Sequence, residues 1–324
     1  MKQKDGKLMG KTGFVFDERY LQHQTFNGHP ECAQRLTAIM DGLAGEGLLN
    51  DLVKIAAEPA NQRWIETVHN IHYIMKFEEA CLWGLPDFEH QDNSICRESY
   101  DTALLAVGGV LKAIDAVMND EITNAFCAIR PPGHHAEANQ AMGFCYFNNV
   151  AIGARYLQKQ YDIEKVCIID FDVHHGNGTQ HIFDTDSTVF YYSIHEHPSF
   201  AYPGTGREFE SGFSTGEGFT KNSPVLPGRG DDEYREKLLS DLVPAFEEFA
   251  PEAVLLSAGF DAHENDLMSG TNLSTDGYDF VNDTIFDLVR SSTGGRVVSV
   301  LEGGYDLQIL PVLVANHIRK LMTI

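Results

Sequence analysis

Positive charge is scarce in this sequence. Its 324 residues carry 24 Lys and Arg against 47 Asp and Glu, a formal net charge of −23. Binding to nucleic acid rests on Lys and Arg against phosphates, so the balance argues against that class. It suits cationic substrates instead, such as basic peptide tails or polyamines. No apolar run is long enough to cross a bilayer, and no membrane span is expected. The start, Met1–Lys11, is basic and lacks an apolar core of export-signal length. Six cysteines (Cys32, Cys81, Cys96, Cys127, Cys145, Cys167) are scattered, with no C-x-x-C pair. They read as reduced thiols in a cytoplasmic protein. There is no internal repeat, low-complexity run or Pro/Ser-rich linker, so a single domain over residues 1–324 is expected.

What is present is organised around Val166–Gly178, V-C-I-I-D-F-D-V-H-H-G-N-G. The four residues Val166–Ile169 form an apolar run that suits a central parallel strand covered on both faces. Asp170, Asp172 and His174 follow at alternate positions. Side chains two apart on an extended chain point the same way, so these groups converge. Burying them together is costly unless a cation compensates. Oxygen and nitrogen donors of this kind suit zinc or a similar transition metal.

Taken in order, the chain alternates strands with helices, which predicts an α/β fold on one parallel sheet. Strands are expected at residues 13–16, 51–58 (an edge strand), 125–129, 166–169, 188–194, 253–257 and 296–301. Helices are expected at about 33–43, 64–80, 100–118, one opened by 143–149 and running to about 161, 233–249, 275–290 and 308–322. In the second of these, Trp64, Val68, Ile71 and Met75 lie on one stripe, and His69 and His72 read as surface residues. Glu31 and Arg35 are spaced to meet on a helical face, as a solvated pair in preference to a fixed salt bridge shaping the site rim. Gly108-Gly109 suggests close packing, and Ser274/Thr275 caps the helix that follows. Residues 84–95 and 204–230 read as surface loops, and 84–95 and 207–230 offer surface for a homo-oligomer.

Four apolar strands run into unusual polar groups: His134-His135, Asp172 with His174, Asp261, and Gly303-Gly304-Tyr305. In a parallel sheet all strand C-termini share one edge, where ligands bind. Asp261 supplies a third metal ligand, leaving an open coordination position for chemistry. Hydrolysis then assigns roles. A metal polarises a carbonyl and acidifies water. Of the adjacent His134 and His135, one faces the water and the other the leaving nitrogen as general acid. Asp170 accepts a hydrogen bond from an imidazole, and Tyr305 donates to the oxyanion.

At these residues the chain resembles the zinc-dependent histone deacetylase and acetylpolyamine amidohydrolase family, in a class II-like form. The resemblance rests on R-P-P-G-H-H (130–135), G-F-C-Y-F-N-N (143–149), D-F-D-V-H-H-G-N-G-T (170–179), Y-P-G-T-G (202–206), S-A-G-F-D-A-H (257–263) and E-G-G-Y (302–305). G-H-P-E, followed by Gln34-Arg35-Leu36, resembles the family's N-terminal region. The resemblance implies an arginase/deacetylase-like three-layer fold with a central eight-stranded parallel sheet. It implies Asp172, His174 and Asp261 as ligands of zinc, a set ferrous iron also satisfies. It implies His134 and His135 as the tandem histidines, with His135 the general base, and Tyr305 as the carbonyl-polarising tyrosine. Gly143, Phe144 and Tyr202 would line an acyl-lysine channel, and Asp92 would grip the substrate backbone at the rim. A structural potassium ion would lie near Asp170, Asp172, His174 and Ser193.

Four departures carry information. Asn177 stands where class I members have an aspartate, and a neutral partner would raise the pKa of His135 less. Glu302 replaces the first glycine of the commoner G-G-G-Y turn. Met268 lies where polyamine-selective relatives carry an acidic gatekeeper, which favours acetyl-lysine in a peptide or protein over an acetylated polyamine. Tyr202 also adds a hydroxyl in place of a more usual phenylalanine. An arginase-like binuclear hydrolase is a weaker reading, because Gly176 stands where a further Asp would be expected and Asp261 is followed by Ala-His. A catalytically silent acyl-lysine binding module would not need Tyr305 and both histidines.

Overall fold

The strands form where β-branched and aromatic runs allow a pleated, buried surface. The computed structural model describes residues 10–324. Most of the basic Met1–Lys11 stretch lies outside them. The strands are Thr12–Val15 (β1), Val53–Ile55 (β2), Asp87–Phe88 (β3), His90–Ser94 (β4), Asn124–Cys127 (β5), Val166–Asp170 (β6), Val189–Glu196 (β7), Thr220–Val225 (β8), Ala253–Ala258 (β9) and Val297–Leu301 (β10). Eight of them make one sheet in the order β2-β1-β5-β10-β9-β6-β7-β8. Every pairing in it is parallel. Val166, Cys167, Ile168 and Ile169 are fully buried, as a central strand covered on both faces must be.

The α-helices are Gln34–Gly45 (α1), Gln62–Ile65 (α2), Ile71–Trp83 (α3), Ser99–Met118 (α4), Asn149–Tyr161 (α5), Asn177–Phe183 (α6), Asp231–Lys237 (α7), Val243–Phe249 (α8), Thr275–Thr293 (α9) and Leu310–Leu321 (α10). A π-helical turn, Leu238–Leu242, joins α7 to α8. One layer, including α4 and α5, packs against β1, β5, β6, β9 and β10. The other is built from α1, α9 and α10, which pack on one another with α7 and α8 beside α9. The result is a three-layer α/β architecture. Among the described residues no helix is long and apolar enough to cross a membrane. Gly108 allows α4 to press on residues 58–60: a Cβ there would lie 2.8 Å from Ala60 N and would collide with Glu58 O.

Several expectations are corrected. The single helix over 64–80 is two, because Asn61 and Asn70 each cap a separate start, accepting from Arg63 N at 3.0 Å and His72 N at 2.8 Å. The break resets the helical phase. Ile71 and Met75 are exposed, while Tyr73, Ile74, Phe77, Ala80 and Cys81 face the core. His69 is buried, not on the surface: its Nδ1 donates to Glu137 O and its Nε2 accepts from Asn148 N, both at 2.9 Å. Glu31 and Arg35 are fully buried, not solvated, because Arg130 joins them from β5's end. Residues 84–95 hold the antiparallel pair β3–β4, and 204–230 hold β8, the eighth strand of the main sheet. Thr220–Val225 reads T-K-N-S-P-V, too polar to register as a strand outside its place at the edge.

Candidate active site

Strands β5, β6, β9 and β10 lie side by side in register, so their exit loops meet at one edge of the sheet. Asp172 and His174 leave β6, and Asp261 leaves β9. Their ligand atoms all lie within 4.8 Å of one another, and all three residues are buried. His174 Nδ1 is 3.2 Å from Asp172 Oδ1 and 3.1 Å from Asp261 Oδ2. The backbone holds the far oxygens: Gly303 N donates to Asp172 Oδ2 at 2.7 Å and Val173 N to Asp261 Oδ1 at 3.0 Å. Burial, with the Asp172 charge beside it, pushes the Asp261 carboxyl up to about 6. Two buried carboxylates converging on one imidazole nitrogen resist carrying negative charge together, and a divalent cation removes that cost. Two oxygens and a nitrogen suit zinc or ferrous iron. Gly303 is required here, since a Cβ would meet Asp172 Oδ2 at 2.6 Å and would collide with Asp261 Oδ2.

His134 and His135 follow β5, with ring centroids 4.0 Å apart, and their surroundings drive them in opposite directions. His134 Nδ1 binds Asp170 Oδ2 at 3.0 Å. Burial alone would lower its pKa, but the Asp170 and Asp172 carboxylates outweigh burial and hold it up at about 10. His135 Nδ1 binds Asn177 Oδ1 at 2.8 Å. Burial and the charges of His134 and His174 push His135 well below its usual value, so it is neutral. His135 lines the open cavity, and His134 sits deeper, with Nε2 3.9 Å from Asp172 Oδ1.

That cavity measures about 220 Å³ and is lined by Asp92, His135, Gly143, Phe144, His174, Tyr202, Met268 and Tyr305. All the expected wall and rim residues are therefore brought together. Gly143 has φ +52°, and a Cβ there would press on His135 Cγ at 2.8 Å and Tyr202 Cε1 at 3.0 Å. Phe144 adopts φ +69°, unusual for an aromatic residue, and Asn93 Oδ1 accepts its N–H at 2.9 Å. Tyr202 stands edge-on to His135 at 5.0 Å. Tyr305 stands edge-on to Phe144 at 6.2 Å, under the Arg35 guanidinium at 4.9 Å. Burial and the nearby Asp261 raise its pKa well above the usual phenol value, so it keeps its proton. Ser193 on β7 pairs with Asp170 on β6, and its hydroxyl meets His195 Nδ1 at 2.7 Å.

Three supports carried no clear signal in the sequence. Asp266 is buried and accepts from Tyr305 N at 2.6 Å, Asp306 N at 3.1 Å and Met268 N at 3.0 Å, tying the tyrosine turn to the rim. Glu302 accepts from Gly133 N at 2.7 Å and His134 N at 3.1 Å, holding the histidine loop against β10. Arg35 donates to Gly304 O at 2.7 Å and Glu302 O at 2.5 Å. The departure at Glu302 from a glycine turn and the spacing of Arg35 from Glu31 could have pointed to two of them.

Residues 29–321 match the histone deacetylase domain family. A probable deacetylase of Archaeoglobus fulgidus is 41% identical over 92% of this chain and 82% of its own length. A histone deacetylase-like amidohydrolase of Pseudomonas aeruginosa is 34% identical over 93% of this chain and 83% of its own. The crystal structure of an HDA15 HD domain superimposes with a TM-score of 0.91 at 34% identity, covering 96% of this chain and 89% of that one. Of two longer histone deacetylases, from Arabidopsis thaliana and Homo sapiens, this chain spans 48% and 32%.

Proposed function

We propose that this chain, which belongs to the histone deacetylase domain family, is a single catalytic domain that hydrolyses the side-chain amide of N6-acetyl-lysine or a related acyl-lysine. One observation carries the reading: a 220 Å³ cavity brings His135, His174 and Tyr305 together with the apolar Gly143, Phe144 and Met268 and the Tyr202 ring. Gly143, Phe144, Tyr202 and Met268 would enclose the four-carbon lysine stem, at ~0.8 kcal/mol per buried methylene, or ~3 kcal/mol in all.

Asp172, His174 and Asp261 would hold zinc, or ferrous iron. When bound there, the ion supplies a polarised acyl carbonyl and a more acidic water. The chain's own groups do the rest. His135 is neutral and presents a free Nε2 to the cavity, the form a general base needs. His134 is held protonated by Asp170, the form a general acid needs. Neighbouring groups whose pKa values are pushed apart in this way divide acid from base. Tyr305 keeps its proton and donates it in a hydrogen bond to the developing oxyanion. Asp92 would grip the substrate backbone at the rim, and Met268 gives the mouth an apolar edge. A potassium ion beside Asp170, Asp172, His174 and Ser193 would stiffen the loop after β6.

The test compares turnover of an acetyl-lysine peptide, a longer acyl-lysine peptide and N-acetylputrescine on the zinc-loaded protein. Preference for a peptide is expected. Preference for N-acetylputrescine, which the −23 charge would favour, would move the substrate to polyamines with the same residues at work.

A further inference from the structure

His135 can act as a base only if Nε2 is bare, so its proton must sit on Nδ1. Asn177 Oδ1, at 2.8 Å, enforces that tautomer provided the Asn177 amide does not flip. The group that forbids the flip lies outside the cavity. Asn177 Nδ2 donates to Glu137 Oε1 at 2.6 Å. A carboxylate only accepts, so the amide nitrogen faces Glu137 and the oxygen faces His135. Two weaker acceptors agree, with Nδ2 3.3 Å from His135 O and 3.4 Å from Met142 Sδ. The same Glu137 Oε1 receives His181 Nδ1 at 2.8 Å. Asn177 and His181 are four residues apart on α6, so both reach Glu137 from one helical face. The line His135–Asn177–Glu137–His181 thus runs from the cavity to solvent, where the His181 side chain is 40% exposed and Glu137 16%.

We propose that Glu137 is a positioning residue for His135: its carboxylate locks the Asn177 amide, sets the His135 tautomer, and supplies one residue removed the negative charge that Asn177 lacks. This rests on the reading of His135 as the base.

The test is a cycle of Glu137→Gln, Asn177→Asp and the double variant, each loaded with zinc and assayed on an acetyl-lysine peptide. A glutamine in place of Glu137 can accept as well as donate, so the Asn177 amide is free to flip and the charge is gone. Charge-assisted bonds are about twice as strong as neutral ones, so kcat should fall roughly tenfold with KM little changed. Asn177→Asp places an acceptor-only carboxylate directly on His135 Nδ1. In that background Glu137→Gln should cost nothing, or restore activity by relieving repulsion between two carboxylates. An equal loss in both backgrounds would mean that Glu137 only supports the fold, and would overturn the proposal. The ring-nitrogen NMR signals of His135 give a second readout that needs no turnover. Glu137→Gln should shift them from the pure Nδ1–H tautomer toward a mixture, and an unchanged pure tautomer overturns the proposal. If the parent protein hydrolyses no acyl-lysine peptide, the substrate reading fails, and the NMR result still decides the role of Glu137.

Discussion

Replacing Tyr305 by Phe removes one hydroxyl and leaves its surroundings intact. The ring would still stand edge-on to Phe144 and under Arg35, and its backbone N–H would still reach Asp266. The candidate metal triad is untouched, since Gly303 N holds Asp172, Val173 N holds Asp261, and both carboxylates meet His174 Nδ1. The walls that would take the lysine stem are also unchanged, so KM should stay within about twofold if it reflects ground-state binding. What disappears is a neutral donor, kept protonated by burial and by Asp261, on a residue that lines the cavity. Losing one oxyanion donor costs ~2.7–4 kcal/mol of transition-state stabilisation, a fall of about 10²–10³ in kcat. The assay is kcat and KM on an acetyl-lysine peptide, beside metal content and melting temperature of the same preparation. Turnover near that of the parent would refute the role of the tyrosine. A loss of metal with the activity would show that the turn after β10 supports the ligands and not the oxyanion.

Asp261→Ala should lose bound metal and activity together, read by elemental analysis, and unchanged metal content would contradict its place in the triad. Met268→Glu puts a carboxylate at the cavity mouth. With a rim ion pair worth ~1 kcal/mol, the ratio of N-acetylputrescine to peptide turnover should rise roughly fivefold, and a constant ratio would count against Met268 as a rim residue. Glu31 is fully buried, and although burial alone would raise its pKa, Arg130 and Arg35 hold it at about 2, below its ordinary 4.5. An acid with a depressed folded pKa adds stability above pH 4.5, here ~3 kcal/mol, which is lost as pH falls toward 2. Acid unfolding followed by circular dichroism should therefore be less steep in Glu31→Gln than in the parent, from a lower plateau at neutral pH.

The fold and the site differ in how far they could be read from the chain. Apolar runs ending in charged or glycine-rich groups mark β5, β6, β9 and β10, because a strand buried on both faces is mostly apolar until it emerges. That logic brings Asp172, His174 and Asp261 to one edge, where their ligand atoms do lie within 4.8 Å. It fails where tertiary context overrides local pattern. β8 is polar because it is an edge strand, and its hydrogen bonds to β7 define it more than its side chains do. His69 reads as a surface residue on a helix, yet it lies between two helices and bridges the chain near Glu137 to Asn148. Glu31 and Arg35 have ordinary helical spacing, and only the approach of Arg130, just beyond β5 and 99 residues from Glu31, makes them a buried cluster. Long-range partners of this kind leave no periodic trace, which also explains why Asp266 and the Glu137–Asn177 contact stand out only in three dimensions.

The most direct test of the central claim is a zinc titration of chelator-stripped protein, with acetate release from an acetyl-lysine peptide as the readout. One buried Asp-His-Asp triad predicts no activity without metal, then a linear rise that breaks at one equivalent. Full activity in the stripped protein, or a break at two equivalents, would contradict a hydrolase built on a single metal site.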